Sequence, residues 1–153
     1  LLEMPWRVAG KKLAPRPAVL DECLTAVVQQ LRHRTPLVLG GRSAGARAAA
    51  RCAGALRADG FLALAFPLHP PGKPERSRVE ELEGAGVPTL VVQGERDPFG
   101  RPEEFPEDVD LTVVPGADHD SIYSATTAAP LVTGWLAGLP LVAPGAGAET
   151  PAR

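Results

Sequence analysis

One serine of this chain has neighbours that suit it to act as a nucleophile. Residues 41–45 read GRSAG, after a short apolar run and before an alanine-rich stretch. This is the G-x-S-x-G pattern of a sharp strand-to-helix turn, in which small neighbours let the turn close and expose the Ser43 hydroxyl. The turn also leaves the Ala44 N–H at a helix N-terminus, where it can bind an oxyanion. The alternative is a glycine-rich turn in which Ser43 only caps the helix.

A serine hydroxyl needs a base, and the chain has three histidines. His119, in the loop between the last apolar run and the last predicted helix, is our candidate base. The alternative is a loop histidine paired with Asp118 or Asp120. His33 lies at a predicted helix end between two arginines, a pattern typical of a solvated residue.

His69 lies in the proline-rich loop that follows the next apolar run. Loops at the carboxyl ends of parallel strands border the ligand crevice, so we expect His69 near Ser43, where it helps to bind substrate or shapes the pocket. The alternative is a plain structural turn. His69 is not our candidate base.

The base needs an acid that orients it, and Asp97 is our candidate. It follows the apolar run 89–92 in the segment QGERDP, and it should contact His119. Glu95, two residues earlier, is a weaker substitute. The alternative for Asp97 is a turn residue ahead of Pro98.

Short, continuously apolar runs alternate with segments of helical periodicity. Residues 1–4 are predicted as the end of a buried strand, and residues 5–16 as a loop. The predicted helices are 17–34, 43–58, 78–83 and 127–139, with one helical turn near 102–105, and the predicted strands are 37–39, 61–66, 89–92 and 111–114. Strands that are apolar throughout are buried on both faces, so the pattern predicts an α/β fold with a mostly parallel sheet flanked by helices.

The composition predicts one domain over residues 1–139 and a flexible tail over 140–153. The chain has 153 residues, 44% of them apolar, and a net charge of −2, which argues against nucleic acid or an anionic membrane as a partner.

Its two cysteines favour a reducing cytoplasm over a disulfide framework, and no spacing of His and Cys suggests a metal site. Residues 121–148 carry no charge, but prolines and glycines interrupt them too often for a membrane span.

Four segments together resemble the α/β-hydrolase superfamily, which uses the chain order Ser, Asp, His. They read LVLGGRSAGARAAA (37–50), FPLHPPGKPE (66–75), VPTLVVQGERDPFG (87–100) and VPGADHD (114–120). Within the superfamily the chain is similar to a dienelactone-hydrolase-like group related to a testis-expressed hydrolase-like protein and a chromatin-complex subunit. The resemblance implies a Ser43–Asp97–His119 triad that acts on a small-molecule ester, thioester or lactone without a cofactor.

The sequence also departs from that family pattern. Such proteins begin with further strands and a Gly-rich loop that supplies a second oxyanion N–H. Nothing in residues 1–16 replaces that loop, so the resemblance implies an α/β-hydrolase fold that lacks its first strands, with the N-terminal part missing. Two functions remain open: a serine hydrolase, or a weak or inactive hydrolase-like module that binds a protein partner. The intact set of three residues favours the first, and the absent loop favours the second.

Overall fold

A computed structural model of the chain describes residues 2–31, 35–123 and 125–140. The α-helices are Pro5–Val8 (α1), Pro17–Gln30 (α2), Ala44–Ala53 (α3), Val79–Glu83 (α4) and Ala125–Gly138 (α5). The strands are Val38–Arg42 (β1), Gly60–Leu64 (β2), Thr89–Gly94 (β3) and Asp110–Val114 (β4), and the 3-10 turns are Pro102–Glu104 and Ser121–Tyr123. His33 and residues 141–153 lie outside the described residues, so the expectations for them stay predictions.

The four strands form one parallel sheet in the order β1-β2-β3-β4. This confirms the parallel α/β architecture predicted from the apolar runs. Because all four strands run the same way, their carboxyl ends meet at one edge of the sheet. The segments that leave this edge carry Ser43, His69, Asp97 and His119.

The core has two parts, one on each face of the sheet. On one face, α2, α3 and α4 pack against alternate strand residues such as Phe61 and Val91, both fully buried. On the other, Leu90, Val92 and Ile122 form a second buried cluster against which Trp135 of α5 packs. Most of α3 is alanine and buried, which brings its backbone close to β1 and β2. The helix that follows Ser43 is therefore fixed closely to the sheet.

Ion pairs fix the outer face of α3 to its neighbours. Arg47 donates two hydrogen bonds to Glu81, at 2.6 and 2.7 Å, and Arg51 bridges Asp21 at 2.6 Å and Glu81 at 3.0 Å. The hydrogen bond to Asp21 is the main reason that the pKa of Arg51 is raised, against the opposing effect of burial. These pairs connect α3 to α2 and α4.

The N-terminal segment differs from the prediction. In place of a buried strand, residues 2–4 are extended without pairing and α1 begins at Pro5. Leu2 is 40% exposed, so this end of the chain has no buried strand environment. Proline is well suited to the first helical position because its fixed φ matches the helix. The expectation of a strand over residues 1–4 is therefore wrong for the part of it that the structure describes.

The other boundaries shift by a few residues. The predicted helix 43–58 ends at Ala53, and residues 54–57 form turns in which Arg57 has a positive φ of 52°. The chain then reaches the start of β1. There Asp59 accepts a hydrogen bond from the Leu37 N–H at 2.7 Å and donates one from its own N–H to Leu37 O at 2.6 Å. None of the helices that the structure describes combines the length and apolarity that a bilayer crossing requires.

Candidate active site

Ser43 occupies a sharp turn between β1 and α3, with φ 49° and ψ −116°. A positive φ is strained for a residue with a side chain, typically by about 1–3 kcal/mol. Gly41 makes the turn sterically feasible, because a Cβ there would lie 2.4 Å from the Gly45 carbonyl carbon. The Ser43 N–H donates to Leu64 O at 3.1 Å, which fixes the turn to the end of β2. A Cβ at Gly45 would have no atom of the described residues within 4 Å of it. The turn therefore requires glycine at position 41 and not at position 45.

The Ser43 hydroxyl lies within hydrogen-bond reach of His119. Ser43 Oγ is 2.9 Å from His119 Nε2, across 76 residues of sequence. The loop after β4 brings the histidine there by passing closely over the end of β3. At that crossing a Cβ on Gly94 would lie 2.7 Å from Ala117 O, so glycine is needed for the approach. The predicted nucleophile and base are therefore in contact.

Asp97 holds the other side of the His119 ring. Its Oδ2 lies 2.7 Å from His119 Nδ1, and the carboxylate is fully buried. Two further donors point to it: the Gln93 side-chain amide reaches Oδ2 at 3.0 Å, and the Phe99 N–H reaches Oδ1 at 2.9 Å. Because an ionised carboxylate only accepts hydrogen bonds, Nδ1 carries the proton and Nε2 is left to accept one from Ser43.

Glu95, the weaker substitute for the acid, does not take this position. Its Oε2 accepts a hydrogen bond from the Gly116 N–H at 2.6 Å. This contact fastens the loop after β4 to the loop after β3. Glu95 thus supports the loop that carries the histidine, and Asp97 is the carboxylate that contacts the ring.

The aspartates on either side of His119 have other partners. Asp118 Oδ1 accepts hydrogen bonds from Ser121 Oγ at 2.7 Å and from the N–H groups of Ser121 and Asp120. The Ser121 hydroxyl is the largest of the causes that lower the pKa of Asp118. Asp120 pairs with Arg42 at 2.5 Å. Both aspartates therefore stabilise the rim of the site, and the alternative in which one of them pairs with His119 is not what the structure contains.

A cavity of about 600 Å³ opens beside Ser43. The N-terminal segment forms one wall of it, and the turn at Ser43, Phe99 and His119 form the other. Its lining residues are Leu2, Glu3, Met4, Trp6, Arg7, Lys12, Ala14, Leu24, Gly40, Gly41, Arg42, Ser43, Ala44, Gly45, Phe99, His119 and Asp120. The Ser43 hydroxyl is thus reachable by a small molecule. Among the residues that the structure describes, no group of three or more His, Cys, Asp and Glu side chains is placed to hold a metal ion.

His69 is buried, and it is not among the residues that line this cavity. Its Nδ1 lies 2.9 Å from Pro70 O and its Nε2 lies 3.1 Å from Glu104 Oε1. Its backbone N–H donates to Phe99 O at 3.0 Å. The structure therefore places His69 against the loop that carries Phe99, and a role in substrate binding stays a prediction.

Two residues of the site, Gln93 and Phe99, are not among those expected from the sequence. Gln93 could have been noticed, because it is a polar residue at the end of the otherwise apolar run TLVV. Phe99 gives no such signal, since an aromatic residue after a turn has many roles. Its contact with His119 depends on how two loops meet in the fold.

Several solved structures that resemble this one are described as hydrolases or hydrolase homologues. An α/β serine hydrolase from Xanthomonas campestris, described as having no lid, matches with a TM-score of 0.63 and 20% identity, over 85% of this chain and 62% of its own. A serine hydrolase homologue from Coxiella burnetii matches with a TM-score of 0.59 and 20% identity, over 83% of this chain and 62% of its own. The esterase domain of a Rhodothermus marinus protein matches with a TM-score of 0.59 and 16% identity, over 75% of this chain and 66% of its own. At these identities the likeness shows the fold.

This chain spans about three-fifths of the length of the first two of those structures. No curated protein matches the sequence significantly. The family model of the alpha/beta hydrolase domain, however, matches residues 4–129. That range includes the whole sheet and the three side chains in contact at its carboxyl edge, and the chain therefore belongs to the α/β-hydrolase family.

Proposed function

We propose that this protein is a serine hydrolase that cleaves a small ester, thioester or lactone. The observation that carries the proposal is the unbroken chain of contacts from Ser43 Oγ to His119 Nε2, at 2.9 Å, and from His119 Nδ1 to Asp97 Oδ2, at 2.7 Å. A hydroxyl, an imidazole and a buried carboxylate in this order form the arrangement that activates a serine for attack on an acyl carbon.

In the first half of the proposed reaction, His119 Nε2 takes the proton of Ser43 as Oγ attacks the acyl carbon. The negative charge that develops on the carbonyl oxygen is stabilised by the Ala44 N–H. This N–H lies in the first turn of α3, where backbone N–H groups have no acceptor within the helix. The imidazolium then gives its proton to the leaving alcohol or thiol, and the acyl group remains on Ser43.

In the second half, water takes the place of the leaving group. His119 removes a proton from the water, the hydroxide attacks the acyl carbon, and the proton returns to Ser43 Oγ as the acid is released. Asp97 holds the ring in the tautomer that both steps need and faces the positive charge that forms on it. The complete reaction consumes only substrate and water.

The finer substrate class rests on two kinds of support. The segments around Ser43, Asp97 and His119 are similar to a dienelactone-hydrolase-like group, and solved structures with the same fold include proteins described as esterases. The cavity volume of about 600 Å³ suits a small acyl substrate. The alternative, a non-catalytic module that binds a protein partner, is less well supported, because it gives no reason for Ser43, His119 and Asp97 to be in contact.

A fluorophosphonate probe tests the proposal directly. It should label the protein at Ser43, and Ser43→Ala should abolish both labelling and turnover on a panel of p-nitrophenyl esters and acyl thioesters. Ser77→Ala is a matched control, because among the described residues this exposed serine accepts a hydrogen bond only from the Val79 N–H at the start of α4, and it lies outside the cavity. Labelling that persists in Ser43→Ala would remove Ser43 as the nucleophile.

A further inference from the structure

A fully buried glutamine lies next to the candidate acid. Gln93 occupies the end of β3, where its side chain has no exposed surface and the preceding residues Val91 and Val92 are also fully buried. A buried amide is costly unless its polar atoms are hydrogen-bonded. The contacts that Gln93 makes therefore indicate what this side chain adds at that position.

All of the side-chain hydrogen bonds that the structure gives to Gln93 are made by its nitrogen. Nε2 lies 3.0 Å from Asp97 Oδ2, 2.9 Å from Gly100 O and 3.4 Å from Phe66 O. Its two hydrogens suffice for the two shorter contacts. The opposite orientation of the amide would set Oε1 against three acceptors, so the surroundings fix which atom faces Asp97.

The other end of the same amide is unsatisfied. Gln93 Oε1 is the single buried side-chain polar atom of the described residues that has no hydrogen-bond partner. A methionine would fill similar space without a buried oxygen of this kind. What glutamine supplies, and an apolar side chain does not, is a donor aimed at Asp97.

We infer that Gln93 is a positioning residue for the proposed hydrolase reaction and that it acts through Asp97. Its amide donates one hydrogen to Oδ2, the oxygen that faces His119 Nδ1, and the other to Gly100 O. The carboxylate is thereby kept in the rotamer that orients the imidazole, and Gly100 of the same loop is held by the same amide. This role rests on the proposed function of Ser43, His119 and Asp97.

Gln93→Met is the first test. We expect kcat for a p-nitrophenyl ester to fall roughly 10- to 100-fold, the scale seen when a residue that orients a reacting group is removed. KM should stay within about twofold, since Gln93 does not line the cavity. Val91→Ala is the control, because it leaves a cavity in the same buried strand and removes no hydrogen bond to Asp97. It should lower thermal stability and leave kcat nearly unchanged.

Gln93→Glu provides a second variant with a distinct pH signature. The new carboxyl group contacts Asp97, and two carboxyl groups this close share a proton. While that proton is held, the new group still donates to Oδ2; once it is lost, the donor is gone and two negative charges face each other. Activity relative to the unsubstituted protein should therefore fall as the pH rises. If Gln93 had only a packing role, the ratio of the variant's activity to that of the unsubstituted protein would be the same at every pH.

The downfield NMR resonance of the His119 Nδ1 proton supplies a readout that needs no substrate. It should shift or broaden in Gln93→Met and stay unchanged in Val91→Ala. If the unsubstituted protein is neither labelled nor active on any ester, the proposed function fails, while this resonance still tests whether Gln93 positions Asp97. Two combinations of results would overturn the inference. One is an unchanged resonance with an unchanged kcat in folded Gln93→Met. The other is an unchanged resonance with a constant activity ratio in Gln93→Glu.

Discussion

The ring of Phe99 lies against the ring of His119, with centroids 4.3 Å apart and planes at 35°. The same residue donates its backbone N–H to Asp97 Oδ1 and lines the cavity beside Ser43. One side chain therefore limits the rotation of the candidate base, while its backbone helps to hold the candidate acid. This contact connects the loop after β3 to the loop after β4 at the point where the proposed proton transfer occurs.

Phe99→Ala should lower kcat/KM about 2- to 12-fold. An aromatic pair of this kind is worth about 0.5–1.5 kcal/mol beyond its buried area, and each 1.4 kcal/mol corresponds to a factor of ten. Steady-state kinetics on a p-nitrophenyl ester would measure the change. Phe105→Leu is the control, since Phe105 belongs to the buried core under α2, α3 and α4. It should reduce stability without a comparable effect on kcat/KM, and equal kinetic losses in both variants would contradict the role given to Phe99.

Asp97→Asn should lower kcat by roughly 10³- to 10⁴-fold while the fold is retained, on the scale known for serine proteases. The new amide can donate to Nδ1, which would then have to accept, and the proton would move to Nε2. A protonated Nε2 cannot take the proton of Ser43. The kinetics should be measured beside circular dichroism, to separate the chemical effect from unfolding.

Glu95→Gln is the matched variant for that experiment. Glu95 is the carboxylate two residues before Asp97, and it accepts a hydrogen bond from the Gly116 N–H, not from His119. The amide oxygen of glutamine can still accept that bond, so kcat should change by less than about threefold, because the proposed chemistry does not use this group. A greater kinetic loss in Glu95→Gln than in Asp97→Asn would mean that the acid has been assigned to the wrong residue.

The parallel sheet was predictable because it depends on a signal within single segments. Runs such as LVV at 90–92 are buried on both faces, and the sequence shows this as unbroken apolarity. The turn at Ser43 was predictable for a similar reason, since G-x-S-x-G records a local steric requirement. The structure adds that the requirement is strict at Gly41 and absent at Gly45.

Features that depend on contacts between distant segments could not be predicted from signals within a single segment. The helix α3 ends at Ala53, and the chain after it pairs Asp59 with Leu37, a contact that no local propensity encodes. His69 was expected near Ser43 from its place after β2, and its loop does leave the correct edge of the sheet. Its side chain contacts Glu104, 35 residues later, and the sequence gives no sign of that pairing.

Gly41→Ala and Gly45→Ala form a pair of variants that test the turn. Gly41→Ala should destabilise the protein by roughly 1–3 kcal/mol or more, because its Cβ would overlap backbone atoms that cannot move without opening the turn. It should also abolish fluorophosphonate labelling. Gly45→Ala should keep both stability and labelling, since its Cβ has open space among the described residues. Chemical denaturation and labelling would measure both effects, and equal destabilisation by the two substitutions is the outcome that the structure excludes.

The two described histidines can be separated by their kinetic effects. His119→Ala should abolish turnover of p-nitrophenyl esters, because it removes the base in contact with Ser43. His69→Ala should mainly change KM or the preference among esters, because it loosens the loop that carries Phe99 without touching Ser43, His119 or Asp97. If His69→Ala alone removes turnover in a protein with normal circular dichroism, the assignment of the base to His119 fails.

Glu104 should make stability depend on pH in the acidic range. The pKa of Glu104 is lowered below 4.5, chiefly by the hydrogen bond from the Arg101 N–H at 2.5 Å and to a lesser degree by His69. A carboxyl whose pKa is depressed in the folded state stabilises the protein above its unfolded pKa, and this contribution is lost as the pH falls through the lower folded value. Glu104→Gln should therefore be less stable than the unsubstituted protein above pH 5, by no more than about 1 kcal/mol for a side chain this exposed.

The difference between Glu104→Gln and the unsubstituted protein should disappear as the pH is lowered, because both then carry an uncharged side chain at 104. Urea unfolding at a series of pH values from about 5.5 down to 3 would measure it. Glu103→Gln is the control, since the neighbouring Glu103 makes no hydrogen bond or ion pair with the residues that the structure describes. It removes a carboxyl group without removing a hydrogen bond, so at about pH 5.5 it should destabilise the protein less than Glu104→Gln does. A gap for Glu104→Gln that widens as the pH falls would mean that the charged form of Glu104 destabilises the folded protein, the reverse of what its lowered pKa requires.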